Sequence, residues 1–108
     1  MTLNFQGLEA RIRAAAVDGL ADAAEVVKQE AIERCPKETG ALRNSAGTAV
    51  DEGAAEAVVY FDTPYATVQH ESLGYHHQDG EAKYLENALL ATKNTVAQVI
   101  ATRLREVI

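Results

Sequence analysis

Ile12, Ala16, Leu20, Ala23, Val27 and Ala31 recur at spacings of three and four residues, the repeat of one face of an α-helix. Glu9, Arg13, Asp18, Asp22 and Glu25 mostly fall on other faces. The pattern predicts a helix over residues 8–34, about seven turns at 3.6 residues per turn. Its apolar stripe is narrow and alanine-rich, so a neighbouring element can approach closely. Gly19 costs a helix about 1 kcal/mol relative to alanine, which points to a close contact or a bend there. Pro36 ends the helix, because the residue before a proline disfavours helical angles. Residues 1–7 are expected to form an arm ahead of it.

Period two replaces this repeat further on. Residues 48–51 and 57–62 read as two strands joined by Glu52-Gly53-Ala54-Ala55-Glu56. The second strand is apolar on both faces and suits the inside of a sheet. The first is shorter and more polar, as edge strands are. Thr63-Pro64 breaks the second strand, and residues 65–72 read as two helical turns. Residues 73–83 contain two glycines and adjacent histidines without apolar periodicity, and read as a mobile loop. Leu85, Leu89, Thr92, Val96, Val99, Arg103 and Val107, with Ala88, Ile100 and Leu104 alongside, predict a closing helix. A single domain over 1–108 is expected from the length.

Composition narrows the function. The chain has 108 residues, ten basic and sixteen acidic groups, and a formal charge of −6. Acidity concentrates in residues 35–83, while the terminal segments are nearly balanced. This argues against a protein that grips nucleic acid through its phosphates. Arg11, Arg13, Lys28 and Arg34 are interleaved with acids and read as a solvated helix face. Cys35 is the single cysteine, which excludes an internal disulfide, a CxxC redox site and a cysteine-rich zinc finger. No run approaches the roughly 18 apolar residues of a membrane span, and the opening residues do not resemble a secretory signal. Synthesis in a cytoplasm is expected.

Candidate chemistry is sparse. His70, Glu71, His76, His77 and Asp79 are the one cluster with metal-ligand character. Their spacing matches no helix-borne ligand pair, so a polar loop whose histidines meet a partner or solvent is the better reading. No cofactor is expected. Cys35 closes a helix, where the dipole disfavours a thiolate, and burial as a small apolar residue is expected. Ser45 and Ser72 lack a nucleophile-elbow context, and the glycines form no phosphate loop. An enzyme is not expected.

The stretch Pro36-Lys37-Glu38-Thr39-Gly40-Ala41-Leu42-Arg43-Asn44-Ser45 is the most specific in the chain. With Gly7-Leu8 ahead of it, Tyr65-Ala66 and Glu71 after it, and Lys83-Tyr84-Leu85-Glu86-Asn87-Ala88 at the closing helix, it resembles the neck or tail-completion proteins of long-tailed phages. These are also known as head–tail joining or minor capsid proteins. The family pattern is Pro-x-Asp-Thr-Gly-x-Leu-Arg-x-Ser, with Glu38 here in place of aspartate. Between Glu71 and Lys83 this chain departs from the family.

The resemblance implies an α+β fold, with long N- and C-terminal helices packed on a small antiparallel β-sheet. It also implies a virion protein at the head–tail junction, forming a ring, with sixfold favoured over twelvefold. Implied neighbours are head-completion and tail-tube or tail-terminator proteins, and DNA passes the lumen without specific binding. A tail terminator capping the tube is the close alternative. A small metal-binding or regulatory module using residues 70–77 is the alternative of another class. Physically, Thr39 caps a turn, Gly40 permits chain reversal, and Leu42 anchors in the core. Arg43 could pair with Glu38, Asp62 or an acid of another subunit. Arg43, Glu71, His76 and His77 are the interface candidates, together with the arm and the strand edge at 48–51.

Overall fold

A computed structural model describes residues 6–35, 40–62, 69–72 and 83–108. Helix α1 (Gln6–Arg34) is 29 residues long, begins within the expected arm, and stops just before Pro36. Five residues, Gly40–Asn44, make the short helix α2. Strands β1 (Ala46–Asp51), β2 (Glu56–Phe61) and β3 (Gln69–Ser72) follow, then helix α3 (Lys83–Arg105). The fold is α+β, with the long helices flanking a three-stranded antiparallel sheet in the order β1-β2-β3.

α1 is the central element. α3 packs along one side of it and the β1–β2 hairpin along another, and so the helix buries more than one stripe. Ala23, Val27 and Ala31 of the expected face are buried, but Ala15, Val17, Gly19 and Ala24 are buried as well. The narrow stripe therefore underestimates α1's contacts: small side chains let two neighbours close on it at once. The two long helices run antiparallel. Near one end, Gly19 meets Ile100; near the other, Tyr84 lies near Cys35.

The core gathers where α1, β2 and the start of α3 converge. Phe61, Leu85, Val27 and Val59 are its largest fully enclosed side chains. Alternate β2 residues Ala57, Val59 and Phe61 are buried, as a central strand covered on one face requires. Phe61 meets Tyr84 edge to face, with ring centres 5.2 Å apart, a favoured aromatic arrangement. Burial is also the main reason that the Tyr84 hydroxyl ionises above its ordinary value. Cys35 is buried at 2% exposure, its thiol donating to the Ile32 carbonyl oxygen at 3.2 Å. Thr92 is the one buried polar residue among the described ones; its hydroxyl donates to the Ala88 carbonyl oxygen at 2.8 Å, so it enters the core satisfied.

Two expectations need correcting. Residues 69–72 are a strand, not part of a helical turn: they pair with β2 from Phe61↔Gln69 to Val58↔Ser72. Hydrogen bonds to a preformed central strand override the weak local preference of Gln-His-Glu-Ser. β1 also starts two residues earlier than expected, because Ala46 and Gly47 are paired with Phe61 and Tyr60.

Candidate interaction surface

The β1–β2 hairpin is held from both ends. At its base, Ser45 links α2 to β2. The Ser45 hydroxyl donates to the Leu42 carbonyl oxygen at 2.7 Å and accepts from the Asp62 N–H at 3.2 Å. Asp62 N–H also reaches the Ser45 carbonyl oxygen at 3.4 Å. Leu42 is half-buried and packs against the core. Within the Pro36–Ser45 motif, then, Leu42 and Ser45 act in folding. Pro36 and Thr39 lie outside the described residues, and Gly40 opens α2.

At its tip, the Arg13 guanidinium donates to the main-chain oxygens of Glu52, at 3.3 Å, and Gly53. Asp51 Oδ1 accepts from the Ala54 N–H at 3.1 Å, and Ala55 N–H donates to the Glu52 carbonyl oxygen at 3.3 Å. Ala55 takes a left-handed conformation with φ of 54°, which a non-glycine residue adopts at a cost. Midway, the Thr48 hydroxyl donates to Glu25 Oε1 of α1 at 3.1 Å. The Lys28 ammonium sits 2.9 Å from Glu25 Oε2. That hydrogen bond is the main reason the Glu25 carboxyl ionises below its ordinary value; partial burial opposes it and the Thr48 hydroxyl assists.

The sheet face away from α1 carries Gly47, Ala49, Val58 and Tyr60 by register. The Tyr60 ring lies over Gly47 so closely that a Cβ there would fall 2.5 Å from Cζ. Asp51, Glu52 and Glu56 stand exposed around the tip, giving it an acidic surface. A groove of about 280 Å³ runs beside the tip, with Ala10, Ala14 and Val17 along its floor and Arg13, Asp18 and Glu52 at its rim. Its volume falls just below the usual range of small-molecule sites.

Arg43 lies half-buried on α2, and its Nε is shut off from water without an acceptor. The described part of the expected partner set, Asp62, does not reach it; Glu38 lies outside the described residues. Glu71 is in β3 opposite Val59, and His70 is opposite Tyr60. His76, His77 and Asp79 lie outside the described residues, as does most of the expected loop, with Lys83 instead opening α3. No three ligating residues converge on one point among the described residues. No helix is long and apolar enough to cross a membrane.

The sequence expectations include no role for Arg13, Asp51 or the Gly47–Tyr60 pair. Arg13, expected on a solvated face, takes main-chain atoms as partners, which no residue pattern reveals. Gly47 facing an aromatic has a signal, a glycine inside a strand, but it precedes the strand expected over 48–51.

The model of a family described as "Bacteriophage HK97-gp10, putative tail-component" matches residues 1–87. The matched span contains α1, the Pro36–Ser45 motif, the whole sheet and the start of α3. No curated protein and no solved structure matches the chain.

Proposed function

Because this chain belongs to the HK97-gp10-like family of phage tail components, a structural constituent of the virion, we propose that it forms a ring in the neck that joins the DNA-filled head to the tail. The family match carries this reading. It runs through the element order and the Pro36–Ser45 motif rather than through a helix alone. The subunit's form supports it: a small sheet whose two edges have no strand partner among the described residues, an acidic net charge of −6 and a hairpin hydrogen-bonded to α1. A head-to-tail contact that closes on itself gives cyclic symmetry, and six copies is the expected number. An acidic lumen repels phosphates and lets DNA slide. The neighbours are a head-completion protein on one side and a tail-tube or tail-terminator protein on the other.

Electron microscopy of the assembled particle tests this. Density for the chain encircling the DNA path at the head–tail junction is the expected result. Density at the tube end alone would make it a tail terminator. Tight, salt-sensitive DNA binding by the isolated chain, or a position away from the DNA axis, would overturn the reading.

A further inference from the structure

Among the described residues, the sheet has two unlike edges without a strand partner. Asp62 N–H donates to the Ser45 carbonyl oxygen, which makes Ser45 and Asp62 a hydrogen-bonded pair. Antiparallel pairing alternates, so Gly47/Tyr60 and Ala49/Val58 are hydrogen-bonded pairs too. The main-chain N–H and C=O groups of Ala46, Thr48 and Val50 then point away from β2, to the open edge. On the other side, Val59 and Phe61 turn their groups to Glu71 and Gln69. His70 and Ser72 consequently face outward from β3. Neither edge has a strand partner among the described residues.

Edge strands are normally protected by lysines, prolines or bulges. β1 has none of these: six consecutive pairs run without a bulge, and no charged residue occurs from Ala46 to Val50. The strand is also stiffly held, by Thr48 on Glu25 and by Arg13 at the turn. An unprotected, preorganised edge is suited to receive another strand.

We propose that copies of this chain join edge to edge, with β1 of one copy against β3 of the next in parallel, so that the sheet continues from subunit to subunit. β1 and β3 are both antiparallel to β2 and therefore run the same way. A rotation about an axis roughly along the strands brings β3 of one copy beside β1 of another without reversing either. The centred register sets Thr48 opposite Glu71 of the next copy. Thr48 N–H then donates to the His70 carbonyl oxygen, and Ser72 N–H donates to the Thr48 carbonyl oxygen. Thr48 and Glu71 are both in register with Val59, so the helix-facing side stays continuous. Copies of net charge −6 would meet along an uncharged stretch of β1. A symmetric β1–β1 contact would satisfy one edge, leave β3 open and stop at a dimer.

This rests on the ring reading, and its test separates the two. Residue-resolved amide exchange on the full chain is followed as concentration drives assembly, with sedimentation as the measure of size. Amides of Thr48, Val50, His70 and Ser72 are expected to slow at least tenfold on assembly, while Gly47 and Ala49 are protected throughout. Val50→Pro removes one outward donor without touching the β1–β2 ladder, and should keep the chain folded and monomeric. If that variant does not fold, exchange on the unaltered chain decides. Slowing at β1 alone would mean a symmetric dimer and overturn the proposal. So would assemblies with both edges still open to exchange, or a chain monomeric at every concentration reached. These outcomes leave the family role intact, whereas absence from the neck would remove the ring reading itself.

Discussion

Gly19 of α1 lies against Ile100 of α3 so closely that a Cβ on Gly19 would stand 3.0 Å from the Ile100 Cα. The obstacle is main chain, which cannot swing aside. Gly19→Ala therefore sets about 1 kcal/mol of gained helix propensity against overpacking of about 1–3 kcal/mol. A net loss of about 1 kcal/mol is expected in urea unfolding. Gly7→Ala, with nothing within 4 Å of the added carbon, should be neutral or slightly stabilising. Equal effects at both positions would contradict the close approach.

Gly47 and Tyr60 form a second tight pair, here between a glycine and the far end of a side chain. Gly47→Ala should displace the Tyr60 ring, which unlike main chain can swing aside, and cost about 0.5–1.5 kcal/mol. In Tyr60→Ala the same glycine change should cost much less. A double-mutant cycle is expected to show coupling of at least about 0.5 kcal/mol; additive losses would refute it.

Ala55 occupies a left-handed position that glycine adopts without strain. Ala55→Gly should raise stability by up to about 1 kcal/mol, seen as a higher melting temperature. A clear loss would mean that the turn relies on the alanine methyl.

Leu42 and Arg43 are neighbours with opposite expected roles. Leu42→Ala should cost about 2 kcal/mol, at the low end for leucine truncation because the side chain is half-buried. Arg43→Met removes an unpaired buried donor, so stability should hold or rise slightly. Loss of particle incorporation with an unchanged melting temperature would mark Arg43 as an interface residue. Equal thermal losses from both substitutions would refute this division.

Glu25 supplies an acid-side pH dependence. Its folded-state pKa is depressed, chiefly by the Lys28 hydrogen bond. The stabilisation is therefore present above the ordinary value of 4.5 and is lost as pH falls through the lower folded value. The carboxylate is largely exposed, so Glu25→Gln should cost no more than about 0.5 kcal/mol near pH 7. The difference from the unaltered chain should vanish below the folded pKa, in unfolding curves taken across that range.

Both long helices, the edge position of β1, the central position of β2, the burial of Cys35 and the close contact at Gly19 could be read from residue spacing. Each depends on periodicity or on one residue with few alternatives. β3 could not: Gln69-His70-Glu71-Ser72 has no β-branched residue and no Phe, Tyr or Trp, and its strand state comes from hydrogen bonds to β2. The second buried side of α1 was hidden too, since alanine is compatible with burial and exposure alike. The Pro36–Ser45 stretch pointed to the family, but its Leu42 and Ser45 turn out to serve folding. The open edges involve main-chain groups, and residue identity leaves little trace of those.

Arg13 holds the hairpin turn by carbonyl oxygens rather than by side chains. This grip is independent of the side chain at position 52: Glu52 can change identity without loosening it, whereas one inserted residue would carry the carbonyls out of reach, and Asp51 must keep its carboxylate to hold the Ala54 N–H. Among diverging descendants of this chain, loop length should persist while loop composition wanders. The acidic tip is thus free to be retuned against whatever surface it faces.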